Sequence, residues 1–599
     1  MKFGTKDGSS DGTVRVNKRS IGSLRRAQFI TTFGPGALLD LPKDSVILGA
    51  TDYWDCEKPL SEPRLATLLG VMNFKQTKVS SDMRKDPGVV GAFRFPYMYY
   101  CPSCGRLDKY WNIGKGEDKR KCAWCDKDLV PSRFVAACEN GHIEDFPYSW
   151  WVHRGRPCDH EDLRIEFSKK TGSLSGITVT CKSCGAKRNL EGATNVDALA
   201  KMRCRGHMPW INRADECEKG EGCSGHLRVL QRGASNVYYS ITASALTIPN
   251  ATCPVIDDAW EQICVLWGTL DSNPSMRTQL IENMYGKQLR DAGYTVPDAL
   301  SYIENRIGGG IQSRNHLDIR DIYEDEYRAL NAPDQDTRNF KTAHEGVPEG
   351  FEDYIEDVVL VSRLREVVAL RGFTRVSPID SDLDDTGEEE RRIMPPYARK
   401  QNWLPAVELL GEGVFIRLKA DAVERWASRA GSRYGTMAAN LIRSLIRCDN
   451  FSPAYVLLHT LSHVLIRQLS IDCGYSSASM KERIYSTFHD SDAEMYGVLV
   501  YASSSDSDGS LGGLVRQGHK DRLGVTLGNA LSNASWCSSD PVCSELTSQG
   551  VDGLNLAACH ACALLPETSC ERRNCLLDRA ALIGTLDRPE LGFFSDLLS

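Results

Sequence analysis

Cys101 and Cys104 form a C-x2-C pair, and Cys122 and Cys125 form a second one soon after. Two such pairs place four thiolates around a tetrahedral Zn2+, with Zn–S bonds of about 2.3 Å. The strand-like and turn residues between the pairs suit a zinc ribbon. A second group begins with Cys181 and Cys184 in CKSCG and runs on through Cys204, His207, Cys217, Cys223 and His226. It offers more donors than one ion takes. The favoured set is Cys181, Cys184, Cys204 and Cys223, since Cys223 lies just before LRVLQRG, a strand or helix able to anchor it; Cys217 is the first alternative. Between these groups lies ACENGHIEDFPYSWWVHRGRPCDH, which carries Cys138, His142, His153, Cys158 and His160. Its C-x3-H and C-x-H spacings suggest a third set, Cys138, His142, Cys158 and His160. The alternative there is a Trp-rich packing segment with incidental polar residues. Near the C-terminus, Cys559, Cys562 and Cys570 form the core of a further set, with Cys543 as preferred fourth ligand and Cys537 and Cys575 as alternates. Two to four structural zinc ions are expected. Each set has four protein donors and no open position, so the metal contributes folding free energy rather than catalysis.

The compartment supports metal over disulfides. The opening MKFGTKDGSSDGTVRVNKRS has no apolar core and reads as a polar tail, not a signal peptide. No long uncharged apolar run predicts a membrane span. The expected location is the cytoplasm, where thiols stay reduced and clustered cysteines bind metal. The 22 cysteines are also unevenly spread, with none between Cys264 and Cys448. The middle of the chain is therefore of another kind.

The elements around these ligands give the fold class. The chain has 599 residues, 41% hydrophobic and 25% charged, so it is globular and large enough for several domains. Residues 1–95 read as a mixed α/β segment with a polar tail, and 96–245 as a zinc-ribbon-rich domain. Residues 246–435 read as mainly helical, with AWEQICVLWGTL and QLIENMYGKQL near the helical period. Within them, VVLVSRLREVVALRGFTRVSP suggests a helix running into a strand, and 379–392 is an acidic solvated loop. Residues 436–599 read as a mixed α/β domain with a four-cysteine zinc site. The class is α+β, multi-domain, with tandem zinc-ribbon-like modules and a helical middle.

Other chemistry is thinner. SPAYVLLHTLSHVLIRQLS predicts a helix with Ser452 as N-cap and Pro453 in its first turn. His459 and His463 fall on one face of it. Thr460 stands where a zinc protease carries its glutamate, so the pair reads as structural. Asp506 and Asp508, in a Ser/Asp/Gly loop, are candidates for Mg2+ or for a helix cap. No G-x4-GK[ST] occurs, so no ATPase signature is present. The net charge of −7, from 72 basic and 79 acidic side chains, excludes a basic nucleic-acid coat. Local clusters such as Lys18, Arg19, Arg25 and Arg26, or Lys119, Arg120 and Lys121, remain as candidate phosphate contacts.

Several strings carry a resemblance. RRAQFITTFGPGALLDLP, ENGHIEDFPYSWWVH, LRVLQRGASNVYYS, LREVVALRGFTRVSP, LLHTLSHVLIRQL, SDSDGSLGGLVRQG and AACHACALLPETSCE resemble the DrmB proteins of DISARM anti-phage systems, nearly end to end. From about residue 440 the chain is also similar to the zinc-binding domain of MrfA-type DNA-repair helicases. That resemblance carries zinc ligation onto Cys559, Cys562 and Cys570, with the fourth ligand open because of the extra Cys575. It implies a non-ATPase subunit in complex with a DrmA-like superfamily 2 helicase, in a system that restricts phage DNA beside a DNA methyltransferase. DNA would be held mainly in that complex, and other defence proteins are further candidate partners. No enzyme activity is expected. Two readings stand beside it: a metal-dependent nuclease using Asp506, Asp508, His459 and His463, and a scaffold that contacts only proteins.

Overall fold

The polar segment expected as a tail is folded. Lys2–Gly8 and Val14–Ser23 pair antiparallel, and Lys2–Gly8 also runs parallel to Val90–Arg94. Phe3, Thr5, Val14 and Val16 alternate with other residues, a period-two pattern that the charged composition masks. The computed structural model describes the chain except residues 1, 9–13, 43, 79–89, 157, 169, 212–222, 250–252, 254, 257–258, 270–273, 292–294, 308–316, 380–391, 445, 505–511 and 599. The acidic loop is thus almost wholly outside the described residues, as are Cys217, Asp506 and Asp508.

Two units form, each drawn from three stretches of sequence rather than from consecutive domains. The first comprises Met1–Pro59, Phe74–Ala243 and Ala369–Val407; the second comprises Leu60–Asn73, Ser244–Val368 and Glu408–Ser599. In the first, a five-stranded sheet has the order Val14–Ser23, Lys2–Gly8, Val90–Arg94, Asp44–Leu48, Leu38–Leu41. Small two- and three-stranded sheets over residues 98–231 carry the cysteines.

In the second unit the helical middle is real but ends early. Helices span Trp260–Thr269, Pro274–Asp291, Val296–Ile307 and Ile319–Leu330. Strands then follow at Phe340–Glu345, Ile355–Thr374 and Trp403–Leu418, of which residues 369–374 and 403–407 belong to the first unit. The segment expected as a helix entering a strand is strand throughout. Its VVLV and VVAL runs are buried on both faces, which removes the alternation that marks a half-exposed strand. The charged residues between those runs are paired: Arg365 donates to Glu408 at 2.7 Å, and Lys481 donates to Glu366 at 2.9 Å.

Trp403–Leu418 pairs with Tyr496–Ser504, which pairs with Met480–Ser486. Against the last two strands lies the helix Pro453–Cys473. It is apolar nearly all round, as a central helix must be, with Leu457, Leu458 and Leu465 fully buried. Pro453 occupies its first turn, and Ser452 caps it by accepting the Tyr455 N–H at 3.1 Å. Ser452→Ala is expected to cost about 1 kcal/mol of stability, readable as a shift in urea midpoint. Among the described residues, no helix is long and apolar enough to cross a membrane.

One histidine on this sheet is set up to hold a proton. His344 Nδ1 lies 2.8 Å from Asp357 Oδ2, and its Nε2 lies 2.9 Å from the Ala332 carbonyl. Burial pulls its pKa down, but the carbonyl and the carboxylate together raise it above the ordinary 6.5. Its stabilising contribution is therefore full below about pH 6.5 and fades as pH rises through the folded value. An NMR titration should place His344 above the usual histidine range, and Asp357→Asn should bring it down.

Candidate metal centres

Three C-x2-C turns and the C-x3-H turn share one backbone device. The N–H of Cys101 donates to Arg106, and the Gly105 N–H returns to the Cys101 carbonyl, each at 2.9 Å. The same pair of bonds recurs at Cys122 with Lys127 and Asp126, and at Cys181 with Ala186 and Gly185. The closing residues Gly105, Asp126 and Gly185 all have positive φ. At Cys138 the tighter version uses the His142 carbonyl and the Gly141 N–H. Such turns aim both side chains of a pair at one point.

The ribbon set assembles as its spacing predicts. Cys101 Sγ lies 3.1 Å from Cys125 Sγ, and Cys104 Sγ lies 3.7 Å from Cys122 Sγ. Burial pushes the Cys101 thiol up to about 12, while the hydrogen bond from Cys101 draws Cys125 down to about 7.

The next two sets are gathered differently from the sequence reading. Cys181, Cys184, Cys204 and Cys223 do not meet. Cys204 and Cys223 are opposite each other in a two-stranded ladder, and they join Cys138 and His142. Cys138 follows the strand Phe134–Ala137, which pairs with Arg228–Gln231 and so returns to the neighbourhood of Cys223. Cys138 Sγ lies 3.5 Å from His142 Nδ1 and 3.9 Å from Cys223 Sγ. A hydrogen bond from Cys204 holds the Cys138 thiol down at about 4.

Cys181 and Cys184 instead join Cys158 and His153. The hairpin of Leu163–Phe167 and Ile177–Cys181 sets Cys181 opposite Leu163, a few residues from Cys158. Cys158 and Cys181 are 4.0 Å apart at sulfur. His153 ends the helix Tyr148–His153; its Nδ1 donates to the Ser149 carbonyl at 2.8 Å, which leaves Nε2 buried and without a hydrogen-bond partner. That is how a zinc-binding imidazole is oriented. His160 is exposed and, among the described residues, joins none of these groups. The set expected from sequence joins neighbours along the chain. In the chain, Cys138 with His142 and Cys204 with Cys223 bracket the whole of the other set.

Near the C-terminus, Cys543, Cys559 and Cys562 come together with Cys537, not with Cys570. Sulfur separations are 3.5 Å for Cys537–Cys559 and 3.7 Å for both Cys543–Cys562 and Cys559–Cys562. Asp540 fixes the entry by accepting the Cys537 N–H at 2.9 Å while pairing with Arg579. Cys575 is buried in the apolar core beside Leu576. Cys570 lies instead against His459, His463 and Glu482, all buried. Both histidines are fully buried and present no surface to a nucleic acid.

The four cysteine-rich groups fit zinc. Each combines four donors of types that Zn2+ takes, with all four ligand atoms within 4.8 Å of one another, compact enough to close on one tetrahedral ion. Protons must leave the raised thiols as metal enters, so affinity falls with falling pH.

The turn at Gly141 is braced from behind. Arg375 is fully buried with no carboxylate partner among the described residues; it donates to the carbonyls of Gly141 at 2.8 Å, Val237 at 2.6 Å and Gly36 at 2.7 Å. The rings of Phe373 and Trp210 lie 4.8 and 5.2 Å from its guanidinium. Burial draws its pKa down to about 9. Gly36 and Gly141 have positive φ, and a Cβ at either would strike Phe373 or Met394.

Basic and aromatic side chains flank the ribbon. Arg106 stacks on Trp124 at 3.8 Å, with Trp124 55% exposed. Lys119 and Lys121 are exposed, whereas Arg120 is tied to Asp44 at 3.1 Å. Arg25 is exposed and Arg26 donates to Gln76. The side chains of Lys18 and Arg19 lie outside the description.

Known proteins align with this layout. Residues 25–239 match a family described only as a domain of unknown function, DUF8724. Residues 461–563 match the MrfA Zn-binding domain; the match contains Cys537, Cys543, Cys559 and Cys562 and stops before Cys570. The chain is 32% identical over 586 residues to the DISARM protein DrmB of Bacillus paralicheniformis (strain ATCC 9945a / NCIMB 11709 / CD-2), covering 94% of this chain and 100% of that relative. The zinc-domain match and the donor groups agree that structural zinc is the cofactor.

Proposed function

The chain belongs to the DrmB family of DISARM defence proteins, and from that premise we propose that it is a non-ATPase, zinc-braced subunit that partners a DrmA-like superfamily 2 helicase to bind and restrict phage DNA. The observation that carries this reading is the MrfA Zn-binding domain at 461–563. A domain type that resembles part of a DNA-repair helicase is here carried on a chain without a P-loop of its own, as though helicase and zinc domain were split between two proteins. Zinc is held by four sets: Cys101, Cys104, Cys122 and Cys125; Cys138, His142, Cys204 and Cys223; His153, Cys158, Cys181 and Cys184; and Cys537, Cys543, Cys559 and Cys562. Its role is to hold loop-rich surface in shape, not to activate water.

DNA contact is assigned to the ribbon face. Exposed Trp124, stacked by Arg106, offers a plane for an unstacked base, and Lys119 and Lys121 offer phosphate contacts. With a net charge of −7, that face supplies a local groove and leaves most of the affinity to the complex.

The test is affinity capture of the full chain from cells carrying its native gene neighbourhood. Stoichiometric recovery of a large helicase is the expected result, with co-purifying DNA reduced by Trp124→Ala. Recovery of the chain alone, folded and zinc-loaded, would overturn the reading.

A further inference from the structure

We propose that His459, His463, Glu482 and Cys570 form a fifth metal site, a fully enclosed zinc centre that fastens the strand Met480–Ser486 and the Cys570 turn to the helix Pro453–Cys473.

The geometry comes first. His459 and His463 are one helical turn apart, so both rings point the same way. His459 Nε2 lies 3.1 Å from Glu482 Oε1 and 3.2 Å from Cys570 Sγ. His463 Nε2 lies 3.5 Å from Glu482 Oε1. These separations match the edges of a small ligand tetrahedron, about 3.3 Å for bonds of 2.0 Å. His463 Nδ1 donates to the Ala563 carbonyl at 2.8 Å, so Nε2 carries its lone pair inward, where it is buried and meets Glu482 only at 3.5 Å, outside good hydrogen-bond geometry. This is the arrangement of a metal-binding imidazole with its outer nitrogen fixed.

The sulfur gives an independent sign. Cys570 Sγ accepts the N–H of Arg572 at 3.3 Å and of Asn574 at 3.1 Å. An amide two residues on also points at sulfur at Cys204, Cys223 and Cys537, each a member of a cysteine-rich group. Cys570 thus sits in a ligand turn although the other cysteines of the region are elsewhere. Its turn is held along the strand: the Glu482 N–H donates to the Ser569 carbonyl at 3.2 Å, and the Glu571 N–H donates back to Glu482 Oε1 at 3.0 Å.

Charge selects the occupant. One carboxylate and one thiolate bring two negative charges into a site where His459 and His463 are wholly buried and Glu482 nearly so. A divalent cation cancels both, so the occupied centre is buried without net charge, which the low-dielectric interior favours. Two imidazoles, one carboxylate and one thiolate form a borderline donor set that suits Zn2+. All four coordination positions are filled by protein, which leaves no place for water or substrate, so the centre is structural.

Zinc-edge anomalous diffraction from the full chain, paired with native mass spectrometry, tests this. The expected result is a peak enclosed by the two Nε2 atoms, Glu482 Oε1 and Cys570 Sγ, and five zinc ions per chain. Cys570→Ala should then carry four, and Cys575→Ala should still carry five. Peaks at the cysteine-rich groups with none here would overturn the proposal, as would an unchanged zinc count in a folded Cys570→Ala chain. If that variant does not fold, the anomalous map of the unaltered chain decides.

Discussion

Cys537→Ser should release one zinc ion from the full chain and loosen the segment after the Lys520–Ala534 helix, whereas Cys575→Ser should leave the zinc count unchanged. The two cysteines are equal candidates by sequence, but Cys537 is 3.5 Å from Cys559 at sulfur and Cys575 is among core leucines. The difference should be large. Binding of a structural zinc contributes roughly 10–16 kcal/mol in small zinc-finger domains, comparable to a whole domain's stability. Serine at Cys537 gives up part of that, on the order of several kcal/mol, while serine at Cys575 costs only the burial of one hydroxyl, about 1–3 kcal/mol. Native mass spectra and melting curves of both variants read the contrast. Zinc lost with Cys575→Ser and kept with Cys537→Ser would refute the ligand assignment.

Arg375→Met should destabilise the first unit by about 3 kcal/mol or more, since it leaves three buried carbonyls without donors at about 1–3 kcal/mol each, partly offset by removal of a buried charge. Arg375→Lys should recover only part of this, because one ammonium lacks the planar fork that reaches three carbonyls at once. The loss should extend to the Cys138–His142 turn, whose Gly141 carbonyl is one of the three. A urea midpoint unchanged in Arg375→Met would show that the cradle is dispensable.

That cradle also explains why certain strings are distinctive. FGPG supplies the Gly36 carbonyl, ENGH the Gly141 carbonyl, SNVYYS the Val237 carbonyl and GFTR the arginine. Each string reads as an ordinary turn or strand by itself; their common purpose emerges only in three dimensions. The C-x2-C pairs were legible because a knuckle is a local turn. Which pairs share an ion was not, because strand pairing across the Cys204–Cys223 ladder overrides proximity in sequence. His153 was visible as a candidate, but its spacing to Cys158 matches no common ligand pattern, and only its buried, bare Nε2 marks it. The long strand Ile355–Thr374 is hidden in the sequence for a related reason: burial on both faces erases its period. The helix at Pro453 was legible because its cap, its proline and its continuous apolar run all agree.

The bracketing of one donor set by another has a consequence for how the chain is made. As residues leave the ribosome in order, His153, Cys158, Cys181 and Cys184 are complete before Cys204 appears, and Cys537 to Cys562 are complete before Cys570. Each inner centre can therefore close first. Closing it shortens the loop that the outer centre must span, and each halving of a loop lowers the entropic cost of joining its ends by about 0.6 kcal/mol. In the first unit the inner centre is thereby expected to load first, and zinc starvation during synthesis should strand molecules with it filled and the outer one open; the same order is expected in the second unit if the proposed His459–Cys570 centre binds zinc.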